Sequence, residues 1–144
     1  MDTDSTWLEK IEKESRLDKE IRFIHVDLGP ISSWGTPISA EKYKEFYTYI
    51  TAPWVFARSC PVVPDLILID GRFRVAYFLY SLYTARCGTL ILFDDYFDRP
   101  EYHLVEQFCP VEGRYGRLAT FRASRGFDAN LLLNKLLEYV NVLD

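Results

Sequence analysis

Two short runs of leucine and isoleucine, each closed by an acid, constrain this chain more than any other feature. Residues 65–96 read DLILIDG, then RFRVAYFLYSLYTARC, then GTLILFDDY. An apolar strand without polar alternation is expected to be buried on both faces, as strands of parallel sheets are. The segment between the runs is long enough for about four helical turns. The pattern therefore predicts a strand–helix–strand unit of an α/β fold with a mainly parallel sheet. Open sheets of this class bind ligands beyond the carboxyl ends of their strands. Asp70, Asp94 and Asp95 fall at those ends.

A chain of 144 residues suffices for one domain with a real core. Apolar residues make up 49% and aromatics 16%, which argues against disorder. The formal net charge is -4 and no Lys/Arg block stands out, so nucleic acid is not an expected partner. No apolar run approaches the ~20 residues of a membrane span, and MDTDSTWLEK lacks a signal pattern. Cys60, Cys87 and Cys109 form neither a CxxC pair nor a metal cluster. Three reduced, mostly buried thiols in a cytoplasmic protein are the expectation.

Taken in order, Thr6 and Glu9 fit a capping box, and a first helix is predicted to run to about Leu17, burying Trp7, Leu8 and Ile11. IRFIHVDL, Ile21 to Leu28, reads as a strand stopped by Gly29-Pro30. A helix is predicted from Ser39 to about Tyr49, with Tyr43, Phe46, Tyr47 and Ile50 as its stripe. Pro53, Pro61 and Pro64 make 51–64 read as irregular. In the central helix, about Phe73 to Arg86, the core stripe is Val75, Phe78, Leu79 and Leu82. Pro100 starts a helix to about Phe108, where His103 reads as a solvated surface residue. Val111 to Arg122 reads as an antiparallel hairpin around Gly113–Gly116. Asp128 caps a last helix to about Val142, with Leu133, Leu136, Leu137 and Val140 at helical spacing.

No GxGxxG, P-loop, HExxH or GxSxG is present. A row of strand-end acids remains: Asp27, Asp70, Asp94 and Asp95. Loop solvation and helix capping explain any one of them, but less well the set.

IDGRFRVA, then GTLILFDDYFDRPEYHLVEQF and GRLATFR, resemble the second half of class I S-adenosylmethionine-dependent methyltransferases. The nearest likeness is to a methyltransferase-like group carrying DGRFR, a later DDY or HDY, and RPxYH. VDLGPISSWGTP is similar to that group's third strand and following loop. The resemblance covers about Asp2 to Ala123, with 128–142 an additional helix. It implies a truncated Rossmann-like methyltransferase fold, a single incomplete domain over 1–144. By that match MDTDSTW corresponds to the end of the second strand, and the first strand with its N-terminal Gly-rich cofactor turn is absent. Asp2 would be the acid on the cofactor ribose, and Asp27 and Leu28 would lie near the adenine. Asp70 would face the methyl-transfer centre. Asp94 and Asp95 would line the acceptor pocket or, as in some relatives, hold a divalent metal; one acidic pair is too few ligands to assign the metal.

Two functions follow from the resemblance. One is methyl transfer from S-adenosylmethionine to a small molecule. The other is a non-catalytic relic that serves as an interaction or structural protein. Positioning supplies much of the rate of an in-line displacement, so the absent turn bears on activity.

Without the first two family strands, Ile21–Leu28 is predicted to pair directly and in parallel with Leu66–Asp70. The alternative is a partner chain in the gap, which would make the protein a homo-oligomer. The last helix is expected to bury Leu133, Leu136 and Val140 on the sheet or against another subunit.

Overall fold

The computed structural model describes residues 1–14, 21–60 and 63–143. Strand β1, Leu66–Ile69, pairs in parallel with β2, Leu90–Phe93, from Leu66 opposite Leu90 to Ile69 opposite Phe93. Helix α3, Arg74–Thr84, crosses between them. Strands β3, Val111–Tyr115, and β4, Leu118–Arg122, form the antiparallel hairpin, with Gly116 at φ +64° in its two-residue loop. β4 lies antiparallel against β2, giving the order β1-β2-β4-β3. The sheet is therefore mixed rather than mainly parallel, because the hairpin returns along β2 before a third parallel strand can form.

The apolar runs are covered on one face only. Ile67, Ile69, Ile91 and Phe93 are buried, whereas Leu66 and Leu68 are 56% and 54% exposed. On the covered face, Val75, Phe78, Leu79 and Leu82 of α3 are all buried, as their spacing predicts.

The stretch 21–28 is not a strand of this sheet. Its backbone makes one parallel bridge, between His25 and Asp2, through Asp2 N–H to Ile24 O (3.0 Å) and Val26 N–H to Asp2 O (3.1 Å). No backbone hydrogen bond joins it to β1 among the described residues, so the direct-pairing expectation is overturned. Val26 and Leu28 nevertheless bury their side chains in the same core as Ile67 and Ile69.

Helix α2 also departs from expectation. A 3-10 turn at Tyr43–Glu45 runs into α2, Phe46–Ser59, with Pro53 inside. An interior proline removes a helical hydrogen bond and costs about 3 kcal/mol or more. Burial of Phe46, Tyr49, Ile50 and Trp54 offsets this, and Trp54 Nε1–H donates to Ser81 Oγ at 3.3 Å. Tyr43 and Tyr47 of the predicted stripe are exposed instead. Ser39 Oγ accepts from Glu41 N–H, in a local turn before the helix. Pro61 lies outside the described residues.

Helix α1, Ser5–Glu14, is capped by Asp4, whose Oδ1 accepts from Thr6 and Trp7 N–H, so Thr6 is not the cap. It buries Leu8, while Trp7 is exposed; the predicted extension to Leu17 lies outside the described residues. Residues Pro100–Gln107 form a 3-10 helix. The thiols are free, but only Cys109 is buried and Cys87 is exposed.

Helix α4, Ala129–Tyr139, packs on α3. It docks through Leu132 and Leu136, while the predicted Leu133 stays exposed and Val140 half-buried. Asp128 is its cap, accepting from Asn130 N–H (2.8 Å) and Leu131 N–H (3.1 Å). Asp128→Ala is expected to cost about 1 kcal/mol in urea unfolding. No measurable loss would mean that docking on α3 alone holds the first turn.

Candidate functional site

The site grows from the turns that leave β1 and β2 at their carboxyl ends. After Ile69 the chain passes Asp70 and Gly71 to Phe73, which is left-handed at φ +55°. An aromatic residue seldom holds that conformation unless its surroundings impose it. Here the ring sits 5.1 Å from Phe46 and 5.7 Å from Tyr49, and the residue is 1% exposed. A Cβ on Gly71 would lie 2.2 Å from the Tyr49 hydroxyl oxygen, which also accepts from Arg72 N–H at 3.3 Å. Glycine at 71 is therefore required by the approach of Tyr49.

This turn delivers Arg74 to the acids. Its Nε–H donates to Gly71 O (3.0 Å), and Nη1 donates to Asp94 O (2.9 Å) and Asp95 Oδ2 (3.0 Å). Nη2 lies 3.3 Å from Asp70 Oδ1. From the hairpin loop, Arg117 grips Asp94 with two bonds, Nε–H to Oδ1 (3.0 Å) and Nη2–H to Oδ2 (2.7 Å). Its Nε is also 3.2 Å from Asp95 Oδ1. Asp95 is itself left-handed at φ +56°. Thus Asp70, Asp94 and Asp95 do come together, through arginines.

The three acids are not equivalent. Asp94 is buried, whereas the Asp70 side chain is 51% exposed. Partial burial raises the Asp70 carboxyl above its ordinary range; Arg74 pulls it back, and Asp94 and Asp95 push it further up. Arginine forks occupy Asp94 and Asp95, and among the described residues no group of three or more His, Cys, Asp or Glu is arranged to hold a metal ion.

Asp2 joins the same end of the molecule through a loop. Its Oδ1 accepts from Asp4 N–H (2.9 Å). Next to it, Thr3 Oγ1 donates to Gly35 O (2.9 Å), and Arg72 Nη1 donates to Thr36 Oγ1 (3.2 Å). Hydrogen bonds thus tie Thr3 to the loop at 35 and 36, and that loop to Arg72, two residues along the chain from Asp70.

Asp27 and Leu28 stand differently. The Asp27 carboxylate accepts from Gly29 N–H and pairs with Lys42, and the Lys42 hydrogen bond holds its carboxyl below the usual range. Leu28 is 1% exposed and packs in the core, leaving only its backbone for a ligand. His25 faces Thr3 O at 3.2 Å. His103 is not a freely solvated surface residue: its Nε2 is 3.1 Å from Tyr96 O, and its ring is 4.8 Å from that of Tyr96.

The sequence reading named the acids and missed Arg72, Arg74, Arg117, Tyr49 and Thr36. The signal was present in RFR and in GRYGR, where arginines flank a turn beside an acidic strand end. Two surface hollows lie elsewhere. One of about 500 Å³ is on the exposed sheet face, and one of about 430 Å³ lies between α2, α3 and α4.

No family model matches the chain, nor does any curated protein. Among solved structures, a methyltransferase-like protein from Silicibacter pomeroyi DSS-3 is similar over 97% of this chain and 74% of its own, at 29% identity and a TM-score of 0.82. The chain thus has a methyltransferase-like α/β fold. No helix among the described residues is long and apolar enough to cross a membrane.

Proposed function

We propose that this chain is a class I methyltransferase that transfers a methyl group from S-adenosylmethionine to a small molecule. The observation that carries the reading is Asp70, a half-exposed carboxyl at the end of β1, raised by burial and steadied by Arg74. The structural likeness to a methyltransferase-like protein supports it.

The donor fits these residues in part. Asp2 supplies the carboxylate that ribose hydroxyls would take, and the buried Thr3 beside it fixes its position by donating to Gly35 O. Asp27 does not fit the adenine role, since Lys42 and Gly29 engage its carboxylate. When bound, the donor would supply an electrophilic methyl on a sulfonium. Asp70 is placed to receive the acceptor's proton, and its raised carboxyl makes it a better base than an ordinary aspartate. Asp94 and Asp95 form the neighbouring wall, fixed by Arg74 and Arg117 so that their charges stay compensated.

A second reading has its own observation. The same arginine forks make Asp94 and Asp95 a structural brace, which is what a non-catalytic interaction protein would keep. Calorimetric titration with S-adenosylmethionine separates the two. Binding at millimolar or tighter supports the enzyme, and no heat at high ligand removes it.

Asp70→Asn adds a test with a sign. A carboxyl whose folded pKa is raised makes the ionised folded state less favourable than it would be at the ordinary pKa. That cost is absent below the ordinary pKa of 3.8 and is fully present once pH exceeds the raised folded value. Asn removes the charge, so at pH 7 the melting temperature should hold or rise while turnover falls. Unchanged turnover would remove Asp70 from the mechanism.

A further inference from the structure

We propose that Tyr49 is a positioning residue for Asp70: its hydroxyl, aimed from α2 by Pro53, fixes the turn that carries the Asp70 carboxyl off β1. The proposal rests on the methyl-transfer reading only for what Asp70 does, and the placement of Asp70 is measured without a donor.

The first observation is where the hydroxyl ends. Tyr49 is 3% exposed, and its ring packs 5.7 Å from that of Phe73. Phenylalanine would serve that packing as well. The Tyr49 oxygen goes further, into the turn, and accepts from Arg72 N–H at 3.3 Å. Residues 70–73 belong to neither strand nor helix, so no ladder holds them. Arg74 Nε–H holds the Gly71 carbonyl from the other side (3.0 Å). The two residues that follow Asp70 are thus pinned by one bond from α2 and one from α3.

The second observation is that the turn is cut to fit the oxygen. A Cβ at Gly71 would meet Tyr49 Oη at 2.2 Å, but the ring carbons Cζ and Cε1 only at 3.3 and 3.5 Å. The hydroxyl, not the ring, excludes a side chain from 71. Gly71 has no positive φ, so its backbone does not by itself call for glycine. Tyr49 and Gly71 are a matched pair.

The third observation lies in α2. Pro53 sits inside the helix, four residues after Tyr49. Residue 53 is the one whose N–H would reach the Tyr49 carbonyl, and proline has none. Its ring crowds that carbonyl instead, which tilts the turn that carries Tyr49. Burial keeps the Tyr49 phenol above its ordinary range, with Asp2 adding to the rise and Arg72 and Arg74 opposing it. Tyr49 therefore stays protonated at neutral pH and acts as a fixed strut, not as the base.

Tyr49→Phe tests the proposal, because it keeps the ring and removes the oxygen. In the full chain without ligand, amide exchange at Arg72 should speed up about tenfold, the loss of one hydrogen bond. The Asp70 carboxyl, followed by NMR titration, should fall toward its ordinary 3.8, since a looser turn admits water and burial is what chiefly raises it. Gly71→Ala should lower the melting temperature, and adding Tyr49→Phe should recover part of that loss instead of deepening it. Pro53→Ala should favour the helix yet speed exchange at Arg72. Unchanged exchange and an unchanged Asp70 titration in Tyr49→Phe would overturn the proposal. So would a Gly71→Ala loss that Tyr49→Phe leaves intact, and unchanged Arg72 exchange in Pro53→Ala would remove the proline from it. Absence of heat with S-adenosylmethionine, with these shifts present, would sink the methyl-transfer reading and leave the placement of Asp70 standing.

Discussion

Arg74→Met is expected to lower the unfolding free energy by about 3–5 kcal/mol, because it removes one partner from a buried charge network. Arg74 is 4% exposed, and its guanidinium serves two backbone carbonyls and two carboxylates. Methionine has similar length and fills the space, so lost packing would account for little of the effect. The residue left worst off is Asp95, which is only 20% exposed at its side chain and would keep Arg117 as its near partner. Arg74→Lys keeps the charge but cannot fork, and should recover only part of the loss. Arg74→Met should also raise the Asp70 carboxyl further, since the Arg74 charge is the strongest influence holding it down. Urea unfolding checks the first outcome and carboxyl titration by NMR the second. A loss below about 1 kcal/mol would place Arg74 among exposed ion pairs, which contribute that little.

Much of the fold was legible because its signals are local. The LILI and LILF runs, the 3.6-residue stripe of Val75, Phe78, Leu79 and Leu82, and the Asp128 cap all appear where the pattern puts them. What was not legible depends on partners distant in sequence. IRFIHVDL has strand composition, but a strand exists only where another backbone receives its hydrogen bonds, and β1 does not. The reading ended a helix before Pro53, yet burial of Trp54 against Ser81 carries α2 to Ser59. The two-faced burial implied by LILI failed because an apolar run does not state what covers its second face. At the site, the acids were readable from strand ends. RFR and GRYGR showed the arginines but not their pairing: Arg74 reaches the acids through a left-handed Phe73 that propensity disfavours, and Arg117 comes from a hairpin 23 residues beyond Asp94.

Phe93 connects the core to those acids. It is the last residue of β2, fully buried, and immediately precedes Asp94. Its ring lies 5.0 Å from Tyr102, 5.3 Å from Tyr96 and 5.8 Å from Phe78, and Phe121 meets both Phe78 and Tyr96 edge-on. Each tilted or edge-on pair adds to the burial, and the cluster is continuous from α3 through the sheet to the 3-10 helix of Pro100–Gln107. Phe93→Ala should therefore cost about 3–5 kcal/mol, the lost transfer energy plus the cavity the rigid neighbours cannot close. It should also loosen the turn that aims Asp94 at Arg117, since Tyr96 follows within three residues and loses a ring contact. Phe93→Leu, which refills most of the volume, should restore most of the stability. The checks are urea unfolding for both variants and amide exchange at Asp94 and Asp95. A large stability loss with unchanged exchange at the acids would separate the core from the site and leave the arginines alone to hold it.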